Sequence, residues 1–263
     1  MIDTHCHLTE PVLRTRLNDV IRRAVDAGVS GFVVPGVDLA DSTDAISLAR
    51  GRTGLRPAAG IHPMWADFAN DAGCRRAVRQ IGDLIDSNRD VVAAIGEIGL
   101  DDEKGPGGSL VNLSTRALAF KLQLDLARDL GLPVIVHSRG PTSKLVETLR
   151  AFGPLPVGGV LHAFGGSPET MRELRKLGYV RGVAGTVTRP GATRLAAAIR
   201  ATDPADMVLE TDAPFIANAI HGRGETVPED LELTARAIAE LTGVDLSVVI
   251  RKTDENARRI FGF

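Results

Sequence analysis

LAFKLQLDLARDLGLPVIVH, residues 118–137, decides the fold. Leu118, Leu122, Leu126 and Leu130 recur at the spacing that lines one face of an α-helix. The stripe stops at Gly131 and Pro133 follows, so the helix ends there. A short β-branched run, Pro133–Val136, begins at once and ends on His137. A helix feeding directly into a buried strand is one step of an alternating α/β chain, and the step repeats in both directions. Upstream lie candidate strands Met1–Leu8, Ser30–Pro35, Arg56–Ile61 and Val91–Ile95; downstream lie Gly158–Leu161, Tyr179–Ala184 and Met207–Glu210. Between the first two, Leu17, Val20, Ile21, Ala24 and Val25 again keep the helical period within Leu17–Ala27. Eight strands with helices between them are the count that a TIM-type (β/α)8 barrel requires.

Nothing in the 263 residues marks a boundary: there is no internal repeat, low-complexity tract or break in composition. A single domain over residues 1–263 is expected, since such barrels run to about 250 residues as one unit. The polar segments Asp102–Ser109 and Ala213–Pro228 each follow a strand, which makes them rim loops rather than linkers. Apolar content of 44% suffices for a core and excludes a disordered chain. No apolar run approaches the roughly 20 residues that span a bilayer. The start, Met1-Ile2-Asp3-Thr4-His5, carries an acid where a secretory signal carries basic residues, so the cytoplasm is the expected compartment. Two cysteines, Cys6 and Cys74, cannot build a disulfide framework and suit a reducing environment. With 31 basic against 33 acidic residues, the chain lacks the excess needed to coat nucleic acid, although a local phosphate site survives that argument. A monomer is the default.

The histidines carry the functional argument. His5 and His7 close the first strand, His62 follows the third, and His137 and His162 end the fifth and sixth. Glu97 lies just beyond the fourth strand and Asp212 just beyond the eighth. Barrel strands all point one way, so these seven residues converge on the C-terminal mouth, where such folds carry their chemistry. The His5-x-His7 spacing puts both imidazoles on one face of a strand, able to grip one ion. Imidazole with carboxylate suits Zn²⁺, Mn²⁺ or Fe²⁺, whereas Mg²⁺ normally takes more oxygen. His5, His7, His137 and His162 with Glu97 and Asp212 exceed the needs of one four-coordinate ion. They suffice for two ions about 3.5–4 Å apart that share a carboxylate. The competing account is a set of hydrogen-bonded core polar groups, which gives no reason for strand ends.

With these residues in place, the sequence resembles the TatD family of metal-dependent hydrolases, within the amidohydrolase-like barrels. The matching motifs are Asp3-Thr4-His5-Cys6-His7-Leu8, Gly60-Ile61-His62-Pro63 and Gly96-Glu97-Ile98-Gly99-Leu100-Asp101. Further on come Leu132 to Arg139, His162 to Ser167, Glu210-Thr211-Asp212-Ala213-Pro214 and Glu255 to Phe261, in the same order. Carried over by position, the resemblance implies that His5, His7 and Asp212 hold one divalent ion, His137 and His162 the other, and Glu97 bridges them. Zinc, manganese and magnesium are the candidates. A shared water acidified towards neutrality would attack, with Asp212 aligning it or taking its proton. His62 and Arg139 would bind a substrate phosphate, Arg139 bidentately. The implied activity is a 3′-to-5′ exonuclease on single-stranded DNA, with RNA a further substrate, so the expected partner is a nucleic-acid end. Asp3 and Asp101 would orient ligands, while Cys6 faces packing.

Four rim residues have two readings each. Trp65 either stacks a base, worth about 1–3 kcal/mol, or packs its loop. Arg139 either contacts phosphate or pairs with a nearby carboxylate, and His221 and Arg223 either touch substrate or are solvated. The chain departs from the family at Met64, where relatives carry a second histidine, and at Asp102, where they carry tyrosine. It also departs at Gly140-Pro141, where an acid is usual, and along Asn218–Glu225. None of these changes touches the six proposed ligands; they bear on substrate choice. A metal-dependent amide or ester hydrolase, such as an aminoacyl-ester deacylase, is therefore the alternative, and a non-catalytic scaffold subunit is a further one.

Overall fold

The computed structural model describes residues 1–103, 112–139, 142–220 and 225–263. The strands are β1 (Ile2–Asp3), β2 (Gly31–Pro35), β3 (Leu55–Ala59), β4 (Ala94–Leu100), β5 (Val134–Ser138), β6 (Gly159–Leu161), β7 (Tyr179–Val183) and β8 (Met207–Leu209). The helices are α1 (Pro11–Arg14), α2 (Leu17–Asp26), α3 (Leu39–Ala49), α4 (Asp71–Asp86) and α5 (Leu113–Leu130), then α6 (Thr142–Phe152), α7 (Pro168–Lys176), α8 (Thr193–Arg200), α9 (Leu231–Thr242) and α10 (Leu246–Phe261). The strands lie side by side in chain order and pair in parallel, as a (β/α)8 barrel requires. The seam between β8 and β1 is closed by Thr4 N–H to Leu209 O at 2.9 Å. Above it, Asp212 N–H donates to His5 O at 2.8 Å and His7 N–H to Ala213 O at 2.8 Å. Those bonds explain why the first strand is shorter than the expected Met1–Leu8. Beyond Asp3 the chain is shared between β2, through Cys6 N–H to Val33 O, and the segment after β8.

Inside the barrel, one apolar side chain from every strand joins a single cluster: Ile2, Val33, Ala58, Ala94, Ile135, Val160, Val180 and Val208. Alternation along each strand then sends the neighbouring residues outward into two apolar clusters beneath the helices. Ala257, Ile260 and Phe261 of α10 plug the N-terminal end, so the opposite end is left for the polar residues. Among the described residues, no helix is long and apolar enough to cross a membrane.

Helix α5 stops at Gly131, whose φ of 63° is the left-handed cap that a glycine adopts without cost. The leucine stripe that predicts this helix is not its most buried face. Ala119, Phe120, Gln123, Leu124 and Ala127 face the barrel, while Leu118, Leu122, Leu126 and Leu130 are half-buried along the edge of that core. There the stripe runs beside Gly82 of α4, whose added methyl group would lie in ordinary contact, 3.4 Å, with Leu126. The fourth strand also differs from expectation, running Ala94–Leu100 instead of Val91–Ile95. The added stretch contains Gly96 and Gly99. Both are close-approach positions: a Cβ on Gly96 would lie 2.7 Å from Ile135 Cβ, and one on Gly99 would strike the His137 carbonyl.

Candidate active site

Glu97 owes its position to an irregularity in β4. Ile95 pairs with Val134 and Ile98 with Val136, so β4 carries one residue more than β5 between the two rungs. Such a bulge re-aims the side chains around it. Glu97 is buried, and it stands at the centre of the mouth. Its Oε2 lies 3.3 Å from His5 Nε2 and 3.8 Å from His7 Nε2, while its Oε1 lies 2.8 Å from His137 Nδ1 and 3.8 Å from His62 Nε2. Asp212 Oδ1 approaches His7, His5 and His162 Nε2 at 3.3, 3.5 and 3.7 Å. A φ of 55° at Asp212 turns this carboxylate inward just past β8. The two imidazoles of His5 and His7 present their Nε2 atoms to each other at 3.1 Å, and the His162 ring stacks on His5.

All six residues expected as ligands therefore meet in one place, but their grouping differs in detail from the expectation. Among the described residues, potential ligand atoms come close together in three sets: His5, His7 and Glu97; His5, His162 and Glu210; and His62, Glu97 and His137. His137 and His162 are farther apart, with ring centroids 6.4 Å from each other. His62 belongs to the third set by distance only. Its Nδ1 accepts the Met64 N–H at 3.1 Å, which leaves the proton of the neutral ring on Nε2. Nε2 thus points into the site as a donor, not as a lone pair.

Carboxylates behind the rings fix their orientation. His137 Nε2 faces Asp101 Oδ2 at 2.8 Å, and His162 Nδ1 lies 3.1 Å from Glu210 Oε1. Asp3 accepts the backbone N–H groups of His5 and Thr211 and, at 2.6 Å, the Thr211 hydroxyl, so it clamps β1 to β8 beneath the site. Glu210 stands in the Glu210–Pro214 motif, but the sequence reading gives it no role. It accepts Ala163 N–H at 2.6 Å, and only glycine at 182 leaves space for it, because a Cβ there would strike its carboxylate. Buried Gln123 and Arg116 on α5 were also missed, hidden among the apolar residues of a helix. Gln123 bonds both the N–H and the carbonyl of Ile61, next to His62. Arg116 grips Asp67 bidentately at 2.7 and 2.6 Å and donates to the carbonyls of Asp101 and Glu103, tying the loops after β3 and β4 together.

The charge pattern follows from this packing. Burial opposes ionisation of Glu97, yet His5, His62 and His137 together hold it well below the usual carboxylate range. Asp212 is lowered in the same way by His162 and His7. Burial likewise opposes a proton on His137, but Asp101 and Glu97 outweigh it and raise the group to about 9. His162 is raised by Glu210 and Asp212 against its burial. Burial pushes His62 down to about 3, so that ring is neutral.

Above these groups lies a cavity of ≈ 330 Å³. Trp65, Arg139 and Met64 line it, together with Glu10 and Phe215, two residues that the sequence reading did not single out. Trp65 sits edge-on to His62 at 5.6 Å and Phe215 edge-on to His7 at 5.1 Å, both rings substantially exposed. Phe215 immediately follows the Glu210–Pro214 motif, which was its only signal. Arg139 pairs with Glu103 on the rim, both side chains about half exposed. Cys6 is buried in the outer apolar cluster, its thiol towards Val33 O. His221 and Arg223 lie outside the described residues, as do Gly140, Pro141 and most of the Asp102–Ser109 loop.

The sequence matches the family described as TatD related DNase over residues 2–262. It belongs to that family. The metal-dependent hydrolase YabD of Bacillus subtilis is 31% identical over 263 residues, covering 99% of this chain and 98% of that protein. TatD of Musicola paradisiaca, named a 3′-5′ ssDNA/RNA exonuclease, is 32% identical over 267 residues, covering 99% and 97%. The crystal structure of the TatD homologue YjjV from Escherichia coli matches with a TM-score of 0.90 at 30% identity, covering 100% of this chain and 98% of that one. As a TatD-family member the chain is a metal-dependent hydrolase, and the mouth of the barrel is where its ionisable groups gather.

Proposed function

We propose that this TatD-family hydrolase removes nucleotides one at a time from the 3′ end of single-stranded DNA or RNA. The observation that carries the proposal is the convergence of four histidines and two ionised carboxylates beneath a small cavity that offers phosphate donors and exposed aromatic rings. At ≈ 330 Å³ the cavity is at the small end of ligand pockets, which suits one terminal nucleotide rather than a duplex. The net charge of −2 also fits an enzyme that contacts few phosphates.

The donor set fits divalent cations. Glu97 and Asp212 are buried anions, and His7, His137 and His162 are pushed towards holding protons beside them. Cations would supply that positive charge in the protons' place. His5, His7 and Asp212 would hold one, His137 and His162 the other, with Glu97 between. Bound there, the ions would supply Lewis acidity at the phosphoryl oxygens and acidify a water towards neutrality. Asp212, ionised and at the floor of the cavity, takes the proton of the attacking water. His62 donates its Nε2–H to a phosphate oxygen, and Arg139 exchanges its exposed Glu103 partner, a pair worth little in water, for the same phosphate. Attack at phosphorus breaks the bond to the 3′ oxygen of the preceding nucleotide, which leaves as a hydroxyl with the proton that Asp212 took up, and a 5′-mononucleotide is released. Trp65 and Phe215 flank the departing base, where stacking contributes about 1–3 kcal/mol.

The requirement for an end gives the test. Metal-loaded protein is expected to consume a linear single strand and to leave the same sequence untouched as a closed circle. Nicking of the circle at a comparable rate would contradict end-directed action.

A further inference from the structure

Beside Arg139 the mouth opens into a second cleft that the chemistry above does not use. Its volume is ≈ 590 Å³ against ≈ 330 Å³ over the histidines, and Arg139 lines both. Its floor runs along the ends of β5, β6 and β7, with Ala163 immediately after His162. Gly165 and Gly166 form one edge and Gly191 another. A Cβ on Gly165 or Gly191 would meet nothing within 4 Å, so both leave bare backbone against open space. Arg194, in the first turn of α8, is exposed on the far wall, and among the described residues its guanidinium has no hydrogen-bond or ion-pair partner. The cleft thus joins two guanidinium groups by a strip of accessible backbone that begins at the candidate site. An elongated polyanion has that distribution of charge, whereas a small ester or amide has no second anion to place there.

We infer that this cleft is the track for the rest of the strand: it holds the backbone phosphates upstream of the scissile bond, with Arg194 on one of them and Arg139 at the junction. The inference rests on the proposed nuclease activity and adds that recognition extends past the terminal nucleotide. Its occupant is a single-stranded oligonucleotide of at least three residues.

Arg194→Ala tests it. With Mn²⁺, kcat/KM on a thymidine hexanucleotide is expected to fall about 5–20-fold, chiefly through KM, and Arg194→Lys is expected to recover most of the loss. Hydrolysis of bis(p-nitrophenyl) phosphate, too small to reach the cleft, stays unchanged. Binding of the fluorescein-labelled hexanucleotide to protein in EDTA weakens by a similar factor, and the slope of log K against log salt drops by about 0.7, the value for one phosphate contact on a single strand. Equal hexanucleotide binding and turnover in Arg194→Ala and wild type overturn the inference. So does an equal loss on the small diester, which would place Arg194 in the fold rather than on the strand. A wild-type enzyme that hydrolyses neither phosphodiester refutes the nuclease activity itself, a result distinct from an unchanged Arg194→Ala variant.

Discussion

Glu97→Gln is expected to abolish hydrolysis while the barrel stays folded. The substitution keeps the size of the side chain and removes the charge that His5, His7, His62 and His137 surround at 2.8–3.8 Å. If Glu97 bridges two cations as proposed, its loss removes several kcal/mol of charge stabilisation, and about 4 kcal/mol corresponds to roughly a thousandfold in rate. Turnover should therefore fall by at least ~10³-fold, with metal content per chain reduced by elemental analysis. The melting transition should persist, because the apolar cluster from Ile2 to Val208 inside the barrel does not include Glu97. Activity within tenfold of wild type would remove Glu97 from the mechanism.

Affinity for divalent cations is expected to climb steeply with pH. Both ring nitrogens of His137 face carboxylate oxygens at 2.8 Å, and the group is raised to about 9 by Asp101 and Glu97 despite its burial. His162 is raised by Glu210 and Asp212. An imidazole ligates only after losing a proton, so below these raised values each bound cation must displace protons. The sign follows directly: lowering the pH fills the rings with protons and weakens binding, and raising it strengthens binding until the rings are neutral. Well below its pKa each displaced proton contributes about tenfold in apparent affinity per pH unit, and the ring is half neutral at pH 9, which makes a rise of about fiftyfold between pH 7 and pH 9 for His137 alone. Titration calorimetry in two buffers of different ionisation heat measures the proton release. Asp101→Asn, which removes one of the groups raising His137, should flatten the dependence. A pH-independent affinity in wild type would contradict ligation by these rings.

Much of this was legible in the sequence because barrel geometry converts chain position into place. A histidine after a β-branched run must sit at the mouth, and so His5, His7, His137 and His162 could be brought together without coordinates. Spacing does not report what a strand does between its rungs. The bulge that aims Glu97, and the closeness that Gly96 and Gly99 permit, left β4 three residues out of place at its start and five at its end. The supporting carboxylate of Glu210 and the buried pair Arg116–Asp67 were missed for another reason. A buried polar group is recognisable only by its partner, and these partners lie 48 or 49 positions away. The leucine stripe of α5 marked the helix but not its buried face, since the stripe also lies along the side next to Gly82 of α4.

The central claim, phosphodiester cleavage from a 3′ end at this mouth, is tested most directly by a time course on 5′-labelled single-stranded DNA and RNA with added Mg²⁺, Mn²⁺ or Zn²⁺. The expected result is a ladder that shortens by one nucleotide at a time and is abolished by chelation. An intact strand in the presence of protein that has bound its cations, alongside rapid turnover of a carboxylic ester, would contradict it.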